Sequence, residues 1–322
     1  MNDATFNSGV LITGAAGFIG SALLRVLADD GVGQVTALDL RDVPPAQQRA
    51  GIDYEQGDIR DPALKEIFAR VRPRTVVHLA SVVAVGGDER RDYEIDVLGT
   101  RNVLESCLAA GVQHLIVTSS GAAYGYHADN PVPLRETDPL RGNEDFPYAR
   151  NKREVEDMLA RWRSEHPQLQ QTIFRPCTVL GPTTNNQITA LFERPVVTGL
   201  SGTATPFSLI ADSDVVAALA QAVRTGKPGI YNLAGDGTLS LREIAQLNGK
   251  PFIPIPPAIM RGALRLLNAL GLTKLTAENV KFIQYRPVLD NTRLKSEFGY
   301  TPELDARVVF ERYRDQRPDL PA

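Results

Sequence analysis

The sequence predicts an α/β fold, a doubly wound parallel sheet with a smaller C-terminal substrate-binding domain. Three observations predict it. Short apolar runs alternate with stretches of helical spacing through the first half of the chain. A glycine-rich turn joins the first run to the first helical stretch. Past Pro176 the alternation loosens into segments rich in Gly, Pro and Thr. The chain has 322 residues, which at roughly 150 residues per domain suggests about two domains.

Taken in order, residues 10–12 form an apolar run and read as the first strand. Residues 18–28 carry Ile19, Leu23, Leu24 and Leu27 on one side of a helix. Strand 35–38, helix 64–70 and strand 75–79 follow. Residues 97–110 are helical and stop at Gly111, a residue suited to a left-handed C-terminal turn. Strand 114–118, helix 152–162 and strand 172–174 complete the first half. Beyond it, 181–205 reads as loops, 210–223 as a helix and 229–233 as one more strand. Residues 251–257 are punctuated by proline, 260–270 form an apolar helix, and 294–298 form a short helix before Gly299. The expected division is a nucleotide-binding domain over 1–176, to which 210–233 return, and a substrate domain from 177–209 and 234–322.

Composition narrows the function classes. Hydrophobic residues make up 43% and charged residues 23%, which suits a globular chain with a substantial core rather than a disordered one. Lys and Arg number 35 against 38 Asp and Glu, so no basic excess points to nucleic acid. The two cysteines, Cys107 and Cys177, stand apart from each other and from the four histidines. No metal site and no disulfide framework is expected. Residues 1–8 lack a basic stretch followed by an apolar one, so no signal peptide is read there. No apolar run approaches the roughly 18 residues that span a bilayer. A cytoplasmic protein with no membrane partner is expected.

The segment Thr13-Gly14-Ala15-Ala16-Gly17-Phe18-Ile19-Gly20 follows the first strand and opens the first helix. Gly14 permits a tight turn, Gly17 lets the backbone approach a pyrophosphate, and Gly20 lets helix and strand pack closely. The helix start offers free N–H groups to phosphates. Asp39 ends the next strand, nineteen residues after Gly20. A carboxylate there accepts hydrogen bonds from ribose hydroxyls and repels a 2′-phosphate, which favours NAD over NADP. Arg41, two residues on, is the one feature that could accept such a phosphate. Tyr148 and Lys152 lie four residues apart on one helix face. An ammonium beside a phenol favours the phenolate, which can exchange a proton with an alcohol or ketone oxygen. Ser120, just past a strand, could hydrogen-bond the same oxygen.

Together these residues resemble the extended short-chain dehydrogenase/reductase family, also called the NAD-dependent epimerase/dehydratase family. The resemblance extends to Asp58-Ile59-Arg60-Asp61, His78-Leu79-Ala80-Ser81, Gly99-Thr100, Arg175-Pro176, Gly181-Pro182, Asp214-Val215, Tyr231-Asn232-Leu233 and Asn291-Thr292-Arg293-Leu294. It is strongest to the UDP-glucose 4-epimerase-like branch. It implies a Rossmann-like fold, NAD as cofactor, and a catalytic group of Ser120, Tyr148 and Lys152. Lys152 would also hold the nicotinamide ribose. Asp39, Leu40 and Arg41 would meet the adenosine ribose, and Asp58 and Ile59 the adenine. Leu79, Ala80, Ser81 and Thr118 would line the middle of the cofactor, with Pro176 against the nicotinamide. A homodimer through helices 97–110 and 152–162 is also implied, with Leu104, Leu108, Val155 and Leu159 as candidate contacts.

The chain departs from that pattern where a nucleotide diphosphate would be held. Thr178 replaces an Asn, Phe207 replaces an Arg, and Arg286 stands only four residues before Asp290 instead of about a dozen. Asp96 also replaces a usual Asn. Ser119, Thr178 and Phe207 are the expected pocket residues, and Phe207 and Pro206, with Ile188, Leu191 and Phe192, suggest a more apolar pocket. The leading expectation is therefore an NAD-dependent dehydrogenase or reductase of a small-molecule secondary alcohol or ketone. The alternative is a nucleotide-sugar epimerase. A dehydratase lacks its acid pair at Gly121-Ala122-Ala123, and an NAD-binding protein without turnover is disfavoured by the intact Ser120, Tyr148 and Lys152.

Overall fold

Seven parallel strands form the central sheet: β1 (Val10–Thr13), β2 (Val35–Asp39), β3 (Ile52–Gln56), β4 (Thr75–His78), β5 (His114–Thr118), β6 (Gln170–Pro176) and β7 (Gly229–Leu233). Their spatial order is β7-β6-β5-β4-β1-β2-β3. The computed structural model describes residues 9–83, 87–273 and 276–317. The polar segment 1–8 and the C-terminal residues 318–322 lie outside the described residues.

β1 pairs with β2 on one side and β4 on the other, Val10 standing opposite both Val35 and Thr75. The order of the strands reverses there, so a crevice opens at their carboxyl ends, where such sheets bind ligands. β1, β2 and β4 are buried throughout. A parallel sheet covered on both faces needs such continuous apolar, β-branched runs.

Helices α1 (Phe18–Asp29) and α5 (Asp212–Thr225) pack together on one face, α1 through Leu23 and Leu27 and α5 through Val216 and Leu219. Helices α2 (Leu64–Val71), α3 (Thr100–Ala110) and α4 (Pro147–Glu165) cover the other face with Phe68, Leu104, Val155 and Leu159. A third core gathers Phe192, Phe207, Leu241, Val309 and Phe310. Three short strand pairs frame it: Thr178–Leu180 with Leu209–Ala211, Pro206–Phe207 with Leu239–Ser240, and Val197–Leu200 with Phe252–Ile255.

The structure corrects several expectations. β3 reads IDYEQ with only Ile52 buried, so this edge strand carries no apolar run to announce it. Ile210 and Ala211 are strand residues paired with Val179 and Leu180, and the helix starts only at Asp212. α4 begins at Pro147, whose missing N–H costs nothing at a helix start. The helix expected over 97–110 begins upstream and passes through a wide π turn at Glu94–Gly99. There the Thr100 hydroxyl donates to the Asp96 carbonyl at 2.5 Å. Residues Leu294–Phe298 form a second such turn. Leu104, Val155 and Leu159 belong to the chain's own core and are not available to a second copy. Among the described residues, no helix is long and apolar enough to cross a membrane.

Candidate active site

The turn between β1 and α1 is built from close backbone contacts. Gly14 has a φ of 71°, and a Cβ there would stand 2.6 Å from the Ala80 nitrogen. A Cβ on Gly20 would stand 2.3 Å from the Gly14 carbonyl oxygen. Both positions therefore exclude a side chain for steric reasons. No side chain caps α1 at Gly17, so the first-turn N–H groups of Phe18, Ile19 and Gly20 face outward as an anion site.

Asp39 lies at the end of β2 and is 9% exposed. One carboxylate oxygen accepts the Ala16 N–H at 2.9 Å; the other accepts the Arg41 N–H at 2.9 Å and Arg41 Nε at 3.2 Å. The carboxylate thus sits against the turn and keeps lone pairs for ribose hydroxyls. A hollow beside it is lined by Ala15, Asp39, Arg41, Gln48 and Tyr54. Leu40 is exposed. Asp58 forms a bidentate pair with Arg60, which holds its carboxyl below the usual range. Ile59 is buried against Gly99, where a Cβ would come within 2.6 Å of it. The cradle, the open helix start and Asp39 fit the adenosine and pyrophosphate parts of NAD.

α4 supplies the next group. Lys152 is buried and donates to the Ser81 hydroxyl at 2.7 Å, and its ammonium stands 5.6 Å from the centre of the Tyr148 ring. His78, at the end of β4, bonds Thr13 at 2.7 Å and Thr100 at 3.0 Å. Burial, with the nearby Lys152 charge, pushes its pKa down to about 3, so it stays neutral. Leu79 extends β4 by donating to the Thr13 carbonyl, and Asp96 accepts the Val82 N–H at 3.0 Å, a role its carboxylate fills as an Asn oxygen could. Thr118 ends β5, and Pro176 ends β6 opposite Leu233. Ser120 accepts the Ala122 N–H at 3.1 Å, which leaves its proton free to donate. The short helix it caps, Gly121–Tyr124, packs on α4.

Two pocket expectations are corrected. Ser119 gives its hydroxyl to the buried Glu156 at 2.5 Å and faces the core. Phe207 is 1% exposed and stacks edge-on with Phe192, their rings 5.2 Å apart. Its ring is covered by Arg286, whose guanidinium lies 4.1 Å from its centre and donates to the Thr178 hydroxyl at 3.1 Å. Its spacing from Asp290 marked Arg286 as out of place, yet the fold brings it to Thr178 and Phe207, because distance along the chain is not distance in the fold. Arg286 has no acid partner among the described residues. Burial draws its pKa below the ordinary value, yet a guanidinium remains charged. Tyr126 feels the charges of both Arg286 and Tyr148, and burial raises its phenol. Tyr126, Phe146 and Phe282 pack edge-on and stacked beside Tyr148. Arg286, Tyr126 and Phe282 are the site-forming residues that spacing alone did not reveal.

The sequence matches the NAD dependent epimerase/dehydratase family over residues 10–234. A UDP-glucose 4-epimerase of Mycolicibacterium smegmatis is 30% identical over 322 residues, spanning 91% of this chain and 93% of its own. An uncharacterised protein of Mycobacterium tuberculosis is 26% identical over 312 residues, spanning 94% and 82%. The NAD complex of a Thermus thermophilus UDP-glucose 4-epimerase has a TM-score of 0.75 at 25% identity, covering 96% of this chain and 98% of that one. Fold, site and relatives define an NAD-dependent enzyme. The chain belongs to the NAD dependent epimerase/dehydratase family.

With Asp39 at the adenosine ribose, as expected, a 2′-phosphate would be disfavoured, and Arg41 is held on that same carboxylate. NAD is expected to bind at least tenfold more tightly than NADP, a difference of about 1.4 kcal/mol. Calorimetric titration checks this, and equal affinities would contradict it.

Proposed function

We propose that the protein moves hydride between NAD and a secondary alcohol or ketone carbon of a small-molecule substrate, with Ser120, Tyr148 and Lys152 as the catalytic group. The observation that carries this reading is the Lys152 ammonium fixed between Tyr148 and Ser81 at the carboxyl end of the sheet. Bound NAD supplies the hydride donor or acceptor. Tyr148 exchanges the hydroxyl proton with the substrate oxygen, and the adjacent ammonium stabilises negative charge on the phenol oxygen. Ser120 donates to the same oxygen. Ser81, now holding Lys152, would release it to the nicotinamide ribose. The glycine turn, Asp39 and Ile59 would hold the cofactor, and residues from 177–209 and 234–322 the substrate.

Replacing Tyr148 by Phe removes the proton-exchanging oxygen alone. Turnover is expected to fall about 10²–10⁴-fold, with NAD affinity nearly unchanged by calorimetry. A Phe variant of near-normal activity would refute the assignment.

A second reading, nucleotide-sugar epimerisation, is favoured by Arg286. A half-buried guanidinium without an acid partner among the described residues, beside Thr178 and in the neighbourhood of Tyr126, suits a phosphate or carboxylate of the substrate. The M. smegmatis relative supports the same reading. Arg286→Leu is expected to weaken UDP binding tenfold or more, since charge-assisted hydrogen bonds contribute about 1.5–3 kcal/mol. Unchanged UDP affinity, or none in the parent, leaves the dehydrogenase or reductase outcome in place.

A further inference from the structure

Arg286 is half-buried just past the short helix Val280–Gln284. Thr178 accepts one of its five N–H groups at 3.1 Å, and its guanidinium lies 4.1 Å from the centre of the Phe207 ring. Its other donors make no hydrogen bond among the described residues. The basic side chains that flank it in the sequence are spent on acids: Lys281 on Asp145, Arg293 on Glu297 and Lys295 on Asp236. The groups whose charge bears on Arg286 are Tyr126 and Cys177. Burial raises the Tyr126 phenol and pushes the Cys177 thiol up to about 12, so both are neutral near pH 7. The pocket therefore presents one positive charge that the neighbouring side chains do not cancel.

The size of that charge selects the ligand. A carboxylate carries one negative charge and meets a guanidinium through two parallel hydrogen bonds. A phosphate monoester carries about −1.5 to −2, so part of its charge would stay unanswered beside the Phe207 ring, where desolvation is costly. A nucleotide diphosphate meets the same difficulty. The neighbouring rings ask for an apolar body. Phe146 lies 5.5 Å from Tyr126 and 6.3 Å from Tyr148, and Phe282 stacks on it at 4.2 Å. Tyr126 and Tyr148 are only half-buried, which leaves part of each ring for a ligand. We propose that Arg286 anchors a single carboxylate, which makes the substrate a hydroxy acid or keto acid with an apolar body. The proposal rests on the hydride-transfer reading. Oxidation of such an acid moves hydride from the carbinol carbon to NAD and the hydroxyl proton to the Tyr148 phenolate, leaving the keto acid.

The test follows NADH formation by the full chain with NAD and a panel of secondary 2-, 3- and 4-hydroxy acids ending in a methyl or phenyl group. Each acid is run beside its neutral primary amide. At least one acid should be turned over with a KM about tenfold or more below that of its amide. Arg286→Leu should remove that difference and Arg286→Lys should restore part of it. Calorimetric titration of the acids into the NADH-loaded Tyr148→Phe variant reads the anchor without turnover, and adding Arg286→Leu should weaken that binding about tenfold or more. Acids bound through Arg286 but never oxidised by the parent would refute the hydride reading and leave the anchor standing. Amides turned over as well as their acids, no acid bound, or UDP bound through Arg286 more tightly than any acid would overturn the proposal.

Discussion

One buried ion pair fastens the ends of three strands to the helix that carries Tyr148 and Lys152. Arg175 and Glu156 are almost inaccessible to solvent, and Arg175 Nη2 stands 2.6 Å from a Glu156 oxygen. Arg175 Nε reaches both carboxylate oxygens at 2.9 and 3.0 Å. Ser119 donates to the same carboxylate. Arg175 Nη1 donates to Tyr124, which in turn donates to Asn232 on β7 at 2.8 Å. Burying two charges is costly, and this geometry offsets the cost with hydrogen bonds on nearly every polar atom. Its consequence is positional. Ser119 precedes Ser120, Arg175 precedes Pro176, and Glu156 lies one turn after Lys152. These are positioning residues, and they hold the three members of the proposed catalytic group at one edge of the sheet.

Much of this was legible in the sequence because the constraints there are local. The glycine turn, Asp39 and the Tyr148–Lys152 spacing follow from backbone approach and helix periodicity. The inner strands are covered on both faces and so read as apolar runs. β3 escaped because an edge strand with one buried residue has no such run. Arg286 read as out of place for a different reason: a cation is placed by what packs beneath it, and the Phe207 ring that supports it is distant in the chain. The Ser119 hydroxyl was assigned to the pocket because adjacent serines look alike until the strand ends and their side chains part to opposite sides.

The two halves of the site are built on different physics. The proposed cofactor side depends on the absence of side chains, with backbone N–H groups and one carboxylate left open. The proposed substrate side sets a half-buried guanidinium over an aromatic ring. The stacked Phe146 and Phe282 join this wall to the exposed helix Pro257–Ala269.

The central claim is that hydrogen moves between the substrate carbon and NAD as hydride beside Tyr148. It is tested most directly with a substrate deuterated at the reacting carbon, turned over in ordinary water. The account predicts that the deuterium is recovered on the cofactor or on the product carbon and not in the solvent. Loss of the label to water would show that the hydrogen leaves as a proton, and would contradict it.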